Sequence, residues 1–175
     1  MARKKIIPDA KVHAEILRLL AQGGDRAVSF ATVAQATGLA GPTLVQRFGS
    51  REGMVHTALM AGWAELEDQT AQAEAAAPLT AKGAQVMLKT LTSEAPLLAS
   101  LPQMTADARD SALRAQAEGW RVRIEQALAL RLGGGPRGRE GAALLFAAWQ
   151  GQIMWMPMGG KGFRLKELVK RVTDA

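Results

Sequence analysis

Apolar side chains recur three or four residues apart along almost the whole chain, the spacing of a buried helical stripe. Val12, Ile16, Leu19 and Leu20 predict a first helix over residues 8–22, stopped by Gly23 and Gly24. Ser29 stands at an N-cap position ahead of Phe30, Val33, Ala34 and Thr37, and Gly38 closes that short second helix. Gly41 and Pro42 open a third, only two turns long, with Leu44 and Phe48 on its inner face and Gly49-Ser50 at its end. Ser50 caps a fourth helix that carries Val55, Leu59, Trp63 and Leu66 on one stripe. Pro78 ends it, Thr80 begins a fifth, and Pro96 and Pro102 confine the chain between them to a short broken segment. A long helix is expected over 107–132, with Leu113, Ala117, Trp120, Ile124 and Leu128 inward. Gly133 to Pro136 reads as a loop, and two helices finish the chain, over 139–156 and 163–172. The expected fold class is all-α, with about nine helices.

Composition narrows the chemistry. The 175 residues contain no cysteine, which excludes disulfides, thiolate metal sites and cysteine nucleophiles. Only His13 and His56 are available for imidazole chemistry, and tyrosine is absent. The glycine-rich stretch from Gly133 to Arg139 follows no strand and precedes no Lys-Ser/Thr pair, so it is not a phosphate-binding loop. Glu52 and His56 lie one helical turn apart, but such a lone pair is common on solvated helices. No catalytic residue, no metal site and no cofactor is expected, so the chain is read as a non-enzyme.

The most apolar window, residues 141–158, is interrupted by Gln150, Gly151, Gln152 and Pro157 and reads as a core or interface helix rather than a membrane span. The basic N-terminus lacks the apolar stretch of a signal peptide, which gives a cytoplasmic expectation with no membrane partner.

Three short helices within the first 48 residues, the last two joined by a tight glycine turn, describe a helix-turn-helix. The major groove is about 12 Å wide and admits one helix, so the third helix must be anchored on one face and free on the other. Leu44 and Phe48 supply the anchor; Gly41, Pro42, Thr43, Gln46 and Arg47 are left toward solvent. Gln and Arg suit bidentate base contacts, and a threonine meets bases or phosphates. Ser29 at the start of the second helix and Arg51 just past the third fit phosphate contacts, and Lys4 and Lys5 fit a basic arm.

The run from Val28 to Met54 also resembles the DNA-binding segment of TetR-family transcriptional regulators. The matching positions are Ser29, Val33-Ala34, Gly38, Thr43-Leu44, Phe48 and Ser50, with Arg51-Glu52 and Met54 as close substitutions. Val45 departs from the family's usual tyrosine, and Ala40 from its small hydroxyl residue. The resemblance implies a helix-turn-helix domain over 1–53 and a helical ligand-binding and dimerisation domain over 54–175. It implies a homodimer, a double-stranded DNA operator read as two half-sites about 34–36 Å or a multiple apart, and release by a small hydrophobic or aromatic effector. The implied dimer interface takes Leu145, Ala148, Trp149, Gln152 and Met156 from the penultimate helix and Leu165, Leu168 and Val172 from the last. The implied pocket takes Met60, Trp63, Met87, Met104, Trp120 and Met154, since methionine adapts to varied apolar ligands. The alternative is a helical dimeric module that binds ligand or protein without DNA.

Charge supports the DNA reading less directly than the total suggests. The formal balance is +6, yet residues 1–56 hold eight basic and four acidic side chains, and 111–175 hold eleven and five. The larger excess lies outside the helix-turn-helix.

Overall fold

The computed structural model describes residues 7–94, 96–105, 109–159 and 162–174. Among these the chain folds into nine α-helices and no strand. They are α1 (Asp9–Gly23), α2 (Phe30–Thr37), α3 (Gly41–Phe48), α4 (Arg51–Ala76) and α5 (Ala81–Glu94), then α6 (Leu101–Met104), α7 (Ser111–Arg131), α8 (Gly135–Trp155) and α9 (Leu165–Asp174). Single 3-10 turns occupy Asp25–Ala27, Pro96–Ser100 and Met156–Met158.

Most expected boundaries recur within a residue or two, and the exceptions have local causes. Helix α7 begins at Ser111 because the Asp110 carboxylate accepts from the Ala112 and Leu113 N–H groups at 2.9 and 3.0 Å, a strong N-cap. Helix α8 begins at Gly135, four residues earlier than the glycine pattern suggests. Pro136 sits in its first turn, where a missing N–H costs nothing and the fixed φ is already helical. The segment between the prolines becomes the 3-10 turn and the single turn of α6. The division expected between residues 53 and 54 falls inside α4.

The chain separates into two compact units. One comprises Met1–Glu65 and Ser100–Arg114, the other Leu66–Ala99 and Ala115–Ala175. In the first, α1 packs on α2 and α2 on α3, and Val12, Ile16, Leu20, Val33 and Leu44 are buried. In the second, α9 packs on both α5 and α8, and the rings of Trp120, Phe146 and Trp149 meet at 5.9–6.5 Å. Trp120 Nε1 donates to Thr70 Oγ1 and Trp149 Nε1 to Thr92 Oγ1, each at 2.9 Å, so both indoles keep a partner away from water.

Arg131 is a buried cation of this second unit. Its guanidinium donates to the carbonyls of Glu74 and Ala77 at 2.6 and 2.9 Å, capping the C-terminal end of α4, and to the carbonyl of Ala127 in its own helix at 2.9 Å. Nothing in its sequence neighbourhood, a basic residue at the end of an amphipathic helix, distinguishes it from a solvated one.

Candidate nucleic-acid interface

The α2–turn–α3 segment is held by local chemistry at each joint. Ser29 Oγ accepts from the Thr32 N–H at 3.1 Å, and Thr32 Oγ1 accepts from the Ser29 N–H at 2.9 Å, a reciprocal cap. Gly38 ends α2 in the left-handed region at φ 73°, where a side chain would be strained. Pro42 then pre-forms the first turn of α3.

Leu44 has no exposed surface and Phe48 lies half-buried against the ring of His13, with centroids 5.8 Å apart. The opposite face of α3 presents Pro42, Val45 and Gln46 to solvent, with Thr43 half-buried beside them. Gly41 is not demanded by packing, since a Cβ there meets nothing within 4 Å. Such a glycine suits close approach of another backbone, a phosphodiester chain included. Gly53, which the apolar pattern passes over, is demanded. A Cβ there would lie 2.6 Å from the Phe48 carbonyl, so the first turn of α4 is seated directly against the end of α3.

The two arginines expected at the DNA are both engaged within the protein. Arg51 donates to the Val28 carbonyl at 2.7 Å and to the Asp25 carbonyl, and pairs with the Asp25 carboxylate at 2.7 Å. Asp25 raises the guanidinium pKa further, so Arg51 is a charged brace between α4 and the turn ahead of α2 rather than a free phosphate ligand. Arg47 Nη1 donates to the Ile7 carbonyl at 2.9 Å and to Asp9 Oδ1 at 3.1 Å. Lys4 and Lys5 lie outside the described residues.

Two further titratable groups sit close by in this unit. Burial holds the His13 pKa below the usual histidine value, against a smaller opposing effect of Asp9. His56 Nε2 lies 3.2 Å from Asp110 Oδ2, and the Leu113 N–H, with Ala112 and His56 assisting, holds the Asp110 carboxyl below the ordinary carboxylate range.

Residues 14–58 match the family model described as bacterial regulatory proteins, tetR family. That similarity covers the segment from within α1 to the second turn of α4. The all-helical architecture is shared with solved structures of transcriptional regulators. No curated protein matches the sequence. Solved structures share the fold at low identity. A transcriptional regulator from Rhodococcus sp. Rha1 is 17% identical with a TM-score of 0.74, over 96% of this chain and 95% of that one. A regulator from Saccharomonospora viridis in complex with choline is 17% identical with a TM-score of 0.74, over 95% and 93%. The TetR family regulator PfmR from Thermus thermophilus is 16% identical with a TM-score of 0.63, over 94% and 95%.

The second unit redistributes the expected interface residues. Leu145 and Trp149 belong to the inward row of α8, with Gly138, Gly141, Ala142 and Phe146, and have no surface left for a partner chain. The helical period puts Leu144 and Trp155 on the outward row instead, 59% and 63% exposed, with Ala148 and Gly151 half-exposed between them. Met156 is exposed, and Gln152, Leu165, Leu168 and Val172 are half-buried.

Of the residues expected to line a pocket, Trp63 and Met104 are buried in the first unit, and Met87 and Trp120 in the second. Met60 is half-buried, whereas Met154 faces solvent because α8 turns its other side inward. Cavities of about 540, 350 and 260 Å³ are lined by other residues, the last by Thr92, Trp149, Gln152, Met156 and Leu165 among others. Among the described residues no helix is long and apolar enough to cross a membrane.

Proposed function

We propose that the chain is a cytoplasmic, ligand-responsive transcriptional repressor that binds a two-fold-related operator as a homodimer. The observation that carries the DNA reading is the asymmetry of α3. Its core face is sealed by Leu44, while Pro42, Val45 and Gln46 stand in solvent with no packing role. A short helix fixed on one side and unoccupied on the other fits a major groove, and its N-terminal residues meet the bases. Gln46 takes the base-reading role, with Thr43 beside it; Gly41 and Pro42 allow the start of α3 close to the sugar–phosphate chain. Lys4 and Lys5 supply a basic arm for the same DNA, a role supported by their charge in the sequence.

Dimerisation is supported by the outward row Leu144–Ala148–Gly151–Trp155, a large apolar stripe for a lone protomer to leave uncovered. Release by a small effector is supported by the similarity to the tetR family and by the choline bound in one structure of the same fold; its hydrophobic or aromatic character is our own reading. The effector would favour an arrangement whose two α3 helices no longer match the half-site spacing. Gel shift of the full chain on duplex DNA flanking its own gene, in about 100 mM salt with competitor DNA, tests the core of this. A discrete, competitor-resistant complex is expected; binding that competitor removes entirely would leave the alternative of a helical ligand- or protein-binding dimer.

A further inference from the structure

We infer that Arg47, the one arginine of the recognition helix, is a positioning residue that fixes α3 to the start of α1, leaving base discrimination to Gln46 and Thr43. This rests on the DNA-binding reading above and refines which side chains do the reading.

Two observations converge. Arg47 is exposed on the flank of α3 between Thr43 and the sealed Leu44, while Pro42 and Gln46, four apart, share the face opposite Leu44. The second is that Nη1 of the guanidinium is engaged within the protein. It joins the Ile7 carbonyl and the Asp9 carboxylate, groups 40 and 38 residues away in the chain, and the side chain is 26% exposed. The contact therefore ties two elements together and sets how α3 stands on α1. It also neutralises Asp9, which otherwise places an uncompensated carboxylate beside a helix meant for a polyanion.

The alternative is exchange, in which Arg47 leaves Asp9 on binding and takes a guanine. The two differ in magnitude and in kind. Loss of a strut equivalent to an exposed ion pair weakens specific binding about two- to fivefold and leaves every base preference in place. Loss of a bidentate guanine contact weakens it about five- to 150-fold and erases preference at one base pair per half-site.

The test is selection of duplexes from a random-sequence pool by the full chain, repeated with Arg47→Ala, Arg47→Lys, Asp9→Asn and Gln46→Ala. Affinities for the selected and for unrelated duplexes follow by fluorescence anisotropy, and melting temperatures confirm that each variant is folded. Arg47→Ala and Asp9→Asn should each lower the specific-to-nonspecific ratio about two- to fivefold with an unchanged base profile, and the double variant no more than the larger single loss. Arg47→Lys, which keeps a charged donor but not a bidentate fork, should restore the ratio, and Gln46→Ala should flatten the profile at one position. Loss of a preferred base pair in Arg47→Ala, or a higher ratio in Asp9→Asn, overturns the inference and leaves the DNA-binding reading intact. No enriched sequence with the unmodified chain overturns that reading and the inference with it.

Discussion

His13 illustrates how a side chain of the helix-turn-helix ties stability to pH. Its Nε2 is buried without a hydrogen-bond partner, and burial lowers the pKa in the folded state, so the fold prefers the neutral ring. The unfolded chain then binds the proton more readily. Stability from this site is complete above the unfolded value of about 6.5 and is lost as pH falls from there toward the folded pKa. Asp110 acts lower, because its pKa is depressed by the N–H groups it caps. Its contribution is complete above about pH 4 and is lost as pH drops through the lowered value. Urea melts between pH 7.5 and 5 should show a loss of stability that His13→Leu removes and Asp110→Asn does not. An unchanged slope in His13→Leu would assign the effect elsewhere. Arg131 makes a residue-scale prediction of another kind. Arg131→Met leaves the Ala77 carbonyl without its arginine donor and takes one of two donors from the Glu74 carbonyl, and should cost about 3 kcal/mol in a denaturant titration.

At the scale of the element, α3 depends on what frames it more than on its own propensity. Eight residues including Gly and Pro cannot hold a helix alone in water. The Ser29–Thr32 cap sets the start of α2, the left-handed Gly38 and Pro42 set the entry into α3, and the seat of Gly53 against Phe48 fixes its end. Ser29→Ala should lower stability by about 1 kcal/mol by thermal melt, with DNA affinity at saturating folded protein nearly unchanged. Gly53→Ala differs, since the added Cβ meets a backbone carbonyl that cannot rotate away. The variant should melt lower and also bind DNA more weakly in the temperature range where it is still folded, because the end of α3 must move. Equal effects of the two substitutions on affinity would argue against a fixed α3 orientation. Much of this element is legible in sequence: the cap, the glycine turn, the proline and the Leu44–Phe48 spacing are all local. Gly53 is not, because the carbonyl it faces belongs to the preceding helix, across the Gly49-Ser50 turn.

For the molecule as a whole, the surface an operator-binding dimer needs is decided by which side of α8 faces inward. The row through Leu145 and Trp149 is spent on the protomer's own core, so a dimer that uses α8 must use the row through Leu144 and Trp155. Trp155→Glu or Leu144→Glu should convert a dimer to a folded monomer in sedimentation at micromolar concentration. Leu145→Glu should instead unfold the chain, since it buries a charge in an apolar core. A dimer that survives both outward substitutions would place the interface on other helices. Leu144 and Leu145 are adjacent and chemically identical, so periodicity alone, with apolar residues on both sides of α8, cannot tell the two rows apart.

The helical class, nearly all element boundaries and the helix-turn-helix follow from the order of residues alone, because caps, glycine turns and three-to-four spacing act between neighbours along the chain. What the charged and amphipathic residues do was settled only by folding. Arg47, Arg51 and Arg131 look like free cations in sequence, yet each closes a contact with carbonyls or carboxylates of another element. A guanidinium carries five donors on a long stem, and its partners are set by what folding brings within its reach.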